Sequence, residues 1–286
     1  MDFFVDFQAV DQFINELKNQ GRSQFTLIAY KKDLQQFVGY LIANQKTDFR
    51  EVVKENIDDF IKKLITENYT KKSASRKLNS IRSFFRFLKR QGIISHNPAL
   101  EISHPKYDSL PPRFLSRLEY CALRDAAKND PRSLAMIEIL LQTGIKISEM
   151  TNIKISDIKN GVLVVSLGKQ KREIPLNNAV KKAIDLYLKT RKNISDDQFL
   201  FITRSGRQVL IRNVRQIISR YLSNVGIKDA TVNDLRNTFI VHQLIRGASL
   251  EYVSRIVGHR RLSSTERYLS LVNNNIQKKK EKIEEL

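Results

Sequence analysis

VNDLRNTFIVHQLIRGASLEYVSRIVGHRRLSSTERYLSL, residues 232–271, carries an arginine at 236, a Gly-His pair at 258–259 and a tyrosine at 268, nine residues beyond that histidine. Taken singly these are ordinary. Arg236 reads as a helix-surface cation, His259 as a structural histidine, Tyr268 as a half-packed helix tyrosine. Working outward, the chain adds two more cations in marked places. Lys146 lies in TGIKISEM (143–150), just after the apolar run LAMIEILL (134–141). Lys169 lies at the turn of LGKQKREIPL (167–176). Cations gathered ahead of one tyrosine suggest a reaction centre for an anion.

The composition agrees. Of 286 residues, 50 are Lys or Arg and 30 are Asp or Glu, a formal charge of +20. That imbalance favours a polyanionic partner, with nucleic acid first and an anionic membrane surface as the competing target. No apolar stretch is long enough to span a bilayer, and the N-terminus MDFFVDFQAV is acidic ahead of its apolar residues, unlike a signal peptide. No membrane partner is expected, and the setting expected is the reducing cytoplasm. The single cysteine, Cys121, excludes a disulfide framework and a cysteine zinc site. His96, His104, His242 and His259 are too scattered for a metal site. Walker, GxGxxG, HExxH and GxSxG motifs are absent.

The length suggests about two domains. The first hundred residues read as helices: 13–20, then one capped by Ser23 carrying Phe25, Ile28, Leu34 and Phe37, then 55–68, then 71–90. The last has a stripe of Leu78, Ile81, Phe85 and Leu88, with eight Lys/Arg and no acid among its twenty residues. Like charges at i,i+4 repel, so a face of one sign is better explained by an apposed phosphate backbone. Pro105, Pro111 and Pro112 mark a linker. Beyond it, Ser116 caps a helix, 161–176 reads as a β-hairpin, Asn177 caps another helix, and 199–210 reads as a short strand with a Ser-Gly turn. The expected fold is mainly α with a small antiparallel β-sheet (α+β): a helical domain over 1–106, a linker over 107–112 and a second domain over 113–286.

With those segments in view, the chain resembles the tyrosine site-specific recombinases (phage integrase family), in their Xer-like branch. The resemblance rests on 232–271, TGIKISEM and LGKQKREIPL. It extends to GRSQFTLIAYKKDLQQF (21–37), SRKLNSIRSFFRFLKRQGIISHNPA (75–99) and the linker, and so covers nearly the whole chain. It implies a SAM-like core-binding domain and a catalytic domain that together clamp a duplex. It also implies cutting and rejoining of DNA through a 3′-phosphotyrosine, with no metal, nucleotide or other cofactor. The partners implied are double-stranded DNA and a homo-tetramer on synapsed sites, with 272–286 packing on a neighbour.

Residue by residue, the resemblance makes Tyr268 the nucleophile, Arg236 a phosphate clamp, His259 a phosphate or nucleophile contact, and Lys169 the general acid to the 5′ oxygen. Fixed cationic donors suit the charge that builds on phosphate oxygens. Thr26, Lys31, Lys72, Arg76, Ser80 and Arg82 are implied to face DNA. Three departures stand out. The hairpin turn is short by about two residues, so Lys171 competes with Lys169, alternate strand residues pointing the same way. Asn233 stands where the family has His or Lys, and an amide transfers no proton at neutral pH. Lys146 stands where the family has arginine, which keeps the charge and loses the planar fork. These two replacements motivate the alternative of a weakly active or inactive DNA-binding homologue. A type IB topoisomerase shares the tyrosine chemistry but not the two-domain layout.

Overall fold

In the computed structural model the described residues are 7–46, 48–107, 111–167, 170–191, 195 and 198–273. The chain divides into two compact units, 1–109 and 110–286.

The first unit is helical: α1 (Phe7–Asn19), α2 (Gln24–Ala43), α3 (Lys54–Thr66) and α4 (Lys71–Arg90), with 3-10 turns at Phe49–Glu51 and Pro98–Glu101. The Ser23 hydroxyl accepts from the Thr26 N–H at 3.2 Å and starts α2, as its sequence indicates. Aromatic rings fill the core, with Phe37 on Phe60 at 5.2 Å and Phe13 on Phe84 at 5.6 Å. In α4 the expected stripe is fully buried, while Lys72, Arg86, Lys89 and Arg90 stay exposed. The stripe expected for α2 is only half right. Leu34 and Phe37 are buried, but Phe25 is 74% and Ile28 58% exposed. At 100° per residue Phe25 lies half a turn from Leu34, and Leu27 and Tyr30 pack on the core instead.

Two DNA-facing expectations in this unit need correction. Ser80 is buried and donates to the buried Asp33 carboxylate at 2.9 Å; Arg76 and Lys77 bind the same carboxylate. Ser80 therefore completes an internal ion cluster joining α2 to α4, and only Arg76 of this group is exposed. Arg82 is held inward as well. Its guanidinium donates to the carbonyls of Ala99 and Ile102 and to His104 Nε2, and His104 Nδ1 meets the Ser75 hydroxyl at 2.9 Å. An arginine offers only donors, so the contacted ring nitrogen must be bare and His104 neutral. Arg82 thus pins the chain leaving this unit.

The second unit contains α5 (Arg117–Ala126), α6 (Pro131–Thr143) and α7 (Ile147–Met150). A three-stranded antiparallel sheet follows in the order β1 (Ile158–Lys159), β2 (Val162–Leu167), β3 (Gln170–Pro175). Then come α8 (Asn178–Lys189), α9 (Ile211–Asn224), α10 (Val232–Ile245), α11 (Leu250–Val257) and α12 (Ser263–Glu266). Ser116 and Asn177 cap α5 and α8, and Ser116 forms a full capping box with Glu119. α6 is buried nearly all round, which is why LAMIEILL has no polar face. Among the described residues 199–210 forms no strand. Phe199 and Ile202 make only isolated bridges, to Lys154 and Gln208, around a turn at Gly206. No helix among the described residues is long and apolar enough to cross a membrane.

Candidate active site

The site begins where α6 stops. Gly144 ends that helix in the left-handed conformation, at φ 61°. A Cβ there would come within 2.4 Å of the Phe239 ring, so glycine is needed for both backbone and space. Its carbonyl accepts from Arg236 Nη1, reaching across from α10. The Thr-Gly step of TGIKISEM therefore aims Arg236.

Lys146 is the N-cap of the single turn α7, and its N–H donates to Glu149 Oε2 at 2.8 Å. Its ammonium pairs with no described residue. Burial lowers its pKa, helped by Arg236, Arg172 and Arg260 and opposed by Glu149. A half-buried cation among cations, with no ion-pair partner among the described residues, is suited to an anion.

Glu149 and Arg172 hold these pieces together. Arg172 Nη1 and Nη2 donate to the two Glu149 oxygens at 2.9 and 2.8 Å, and its Nε donates to the Ile256 carbonyl at 2.7 Å. The pair is buried, with side chains 12% and 3% exposed, and it links β3, α7 and the end of α11. Bidentate geometry with every oxygen engaged is what a buried pair requires. Gly258 ends α11 at φ 69°, and a Cβ there would lie 2.8 Å from Arg172 Nη1. The glycine of the Gly-His pair makes room for that guanidinium.

His259 Nδ1 lies 2.8 Å from the hydroxyl of Thr265, which is fully buried. Burial lowers the His259 pKa to about 4, with Arg236, Lys146, Arg267 and Arg172 adding to the effect. The ring is neutral at pH 7. When the Thr265 hydroxyl donates to Nδ1, the proton sits on Nε2 and can donate to a phosphate oxygen.

Tyr268 is buried, 5% exposed, and its hydroxyl donates to Asn237 Oδ1 at 2.7 Å. Burial raises its pKa, against the pull of Arg267 and Arg236. Those interactions place the hydroxyl in the field of Arg236.

Asn233 is exposed on the first turn of α10, three residues before Arg236, and borders a groove with Ile147, Arg215, Ser219 and Thr231. Lys171 is exposed on β3 and lines one cleft with Arg172, Ser254, Gly258, His259 and Arg260. Lys169 and the segment from 274 lie outside the described residues. In the first unit, Thr26 shares a hydrogen bond with Ser23 and Lys31 pairs with Asp11 at the surface, while Lys72 is exposed.

A buried tyrosine under the charge of Arg236, with a neutral histidine held close by in the chain, is a layout suited to attack on a phosphodiester. The sequence comparisons agree: residues 113–274 match the phage integrase family and 10–92 match its N-terminal SAM-like domain. The chain belongs to the phage integrase family, within its tyrosine recombinases. It is 33% identical to the tyrosine recombinase XerC of Thermodesulfovibrio yellowstonii, over 91% of this chain and 90% of that protein. Among solved structures it resembles the XerH site-specific recombinase bound to palindromic difH substrate, at TM-score 0.79 and 15% identity, covering 96% of this chain and 83% of that one. It also resembles a lambda integrase tetramer bound to a Holliday junction, at TM-score 0.73 and 20% identity, covering 89% and 77%.

Four contributors escape a sequence reading: Glu149, Arg172, Asn237 and Thr265. Only Glu149 left a local signal, its capping-box spacing to Lys146. The partners of the others are long-range or lie on a short helix whose hydroxyls look like surface.

Proposed function

We propose that this recombinase cuts one strand per active site by attack of the Tyr268 oxygen on a DNA phosphodiester. The observation that carries this is the Tyr268 hydroxyl, buried in the field of Arg236 and one helical turn from the Thr265–His259 pair. The new bond joins the tyrosine to the 3′ phosphate, and the 5′ oxygen leaves with a proton. Arg236, Lys146 and His259 Nε2–H stabilise the charge on the phosphate oxygens. Asn233 adds a neutral donor, and Lys169 or Lys171 of the β2–β3 hairpin supplies the proton. Storing the bond as a phosphotyrosine allows rejoining without a nucleotide cofactor.

The exposed Lys72 and Arg76 suit phosphate contacts by residues 1–106, joined through 107–112 to a catalytic domain over 113–286. A homo-tetramer on paired sites in the cytoplasm, with 272–286 packed on a neighbouring copy, is the working assembly we infer. The lambda integrase relative was solved as a tetramer on a Holliday junction. Resolution of dimers or cointegrates, or integration, would follow from the same chemistry.

The test is covalent capture: the full chain is incubated with fragmented DNA from its source, denatured, and the attached fragments sequenced. Recovery of fragments sharing paired inverted repeats around a short spacer supports site-specific recombination. Random fragments, or equal capture by Tyr268→Phe, contradict it.

A further inference from the structure

Asn237 follows Arg236 on α10, and the scheme above gives it no part. Its neighbours fix which way its amide points. Nδ2 donates to the Arg113 carbonyl at 2.8 Å and to Asp234 Oδ1 at 3.1 Å. Both partners only accept, so turning the amide over would set its carbonyl against two other oxygens. Oδ1 therefore faces Tyr268 and takes the hydrogen bond from its hydroxyl at 2.7 Å.

An amide oxygen accepts a hydrogen bond but does not remove the proton. The contact exists only while Tyr268 is a phenol. A phenolate, or a tyrosine esterified to phosphate, has no hydrogen to give and would press lone pairs against Oδ1. In the cut the phenol loses its proton and its oxygen bonds phosphorus. The bond from phosphorus to the 5′ oxygen breaks, and that oxygen gains a proton. The Asn237 contact therefore stabilises the uncut enzyme and cannot follow the tyrosine into the covalent one.

We propose that Asn237 is a positioning residue that holds Tyr268 in a resting, neutral state and biases the cleavage equilibrium toward intact DNA. This rests on Tyr268 as the nucleophile. The anchor is the Arg113 carbonyl, at the start of the second unit, so the hold on the tyrosine extends to backbone near the linker.

The test uses the full chain as Asn237→Ala and as the milder Asn237→Ser, with Tyr268→Phe as reference. In the first arm, without DNA, tyrosine ring carbons are labelled and titrated by NMR, the Tyr268 signal being the one absent from Tyr268→Phe. The Asn237 variants are expected to titrate at lower pH than the parent. In the second arm, with a nicked site recovered by covalent capture, the ratio of covalent to uncut DNA at equilibrium is expected to rise about fivefold, as for one hydrogen bond lost from the uncut state alone. An unchanged titration together with an unchanged or lower covalent ratio overturns the proposal. If Asn237→Ala fails to fold, Asn237→Ser provides both readings. A covalent complex with Tyr268→Phe overturns instead the nucleophile assignment, whatever the titration shows.

Discussion

Glu149→Gln is the substitution that most sharply tests how the site is held. The two Glu149 oxygens take three donors: Arg172 Nη1 on Oε1, and Arg172 Nη2 with the Lys146 N–H on Oε2. Glutamine has the same shape, but either orientation of its amide turns an NH2 toward a donor. Arg172 is then left without a counter-charge at 12% exposure, beside Lys146 and Arg236. Breaking a buried pair from one side costs about 3–5 kcal/mol. For a unit of this size that lowers the melting temperature by roughly 10 °C. The assay is thermal unfolding of the full chain at several pH values. Burial alone would raise the Glu149 pKa, but hydrogen bonds from Arg172 and Lys146, and their charges, hold it below the ordinary 4.5. A depressed carboxylate contributes stability above its unfolded pKa and loses it as pH falls through the folded one. The gap between parent and variant should be full at pH 7 and shrink as pH falls below the ordinary 4.5. A gap under about 0.5 kcal/mol at pH 7, or one that does not narrow as pH falls below the ordinary 4.5, would refute this account of the pair.

Three further outcomes are expected. In the free protein the His259 ring stays neutral to about pH 4; its depressed pKa leaves folding unaffected above pH 6.5 and destabilises the folded state increasingly as pH falls toward 4. Imidazole NMR should show a flat shift from pH 8 to 5, and Thr265→Val should slow cleavage about tenfold by losing the tautomer, as measured by single-turnover kinetics. Lys72→Ala should reduce the salt dependence of DNA binding by about one phosphate contact, whereas Arg82→Ala should leave that slope unchanged because its guanidinium is turned inward; titrations at several salt concentrations separate the two. Lys146→Arg should raise the single-turnover cleavage rate up to about tenfold at saturating DNA by restoring the two-pronged donor, and no change would remove Lys146 from the phosphate site.

Much of this was legible in the sequence, for reasons that can be named. The α4 stripe and the caps Ser23, Ser116 and Asn177 are local signals, carried within one or two turns. Arg236, His259 and Tyr268 could be proposed from the sequence because their spacing matches a family, not because any one of them is distinctive. What escaped is long-range. Phe25 looked like core until the helix phase set by Leu34 and Phe37 turned it outward. Ser80 and Arg82 looked like a DNA face because nothing near them in the chain announces Asp33 or the carbonyls of Ala99 and Ile102. Arg172 in GKQKREIPL read as one cation of several, and only the fold brings Glu149 and Gly258 to it.

The central claim is that Tyr268 becomes covalently attached to DNA. Its most direct test is mass spectrometry of the peptide left on DNA after cleavage of a nicked site, denaturation and proteolysis. The expected product is a phosphodiester linkage on the peptide containing Tyr268, to a 3′ end, with a free 5′ hydroxyl on the other strand end. An adduct on a different residue, or attachment to a 5′ phosphate, would contradict it.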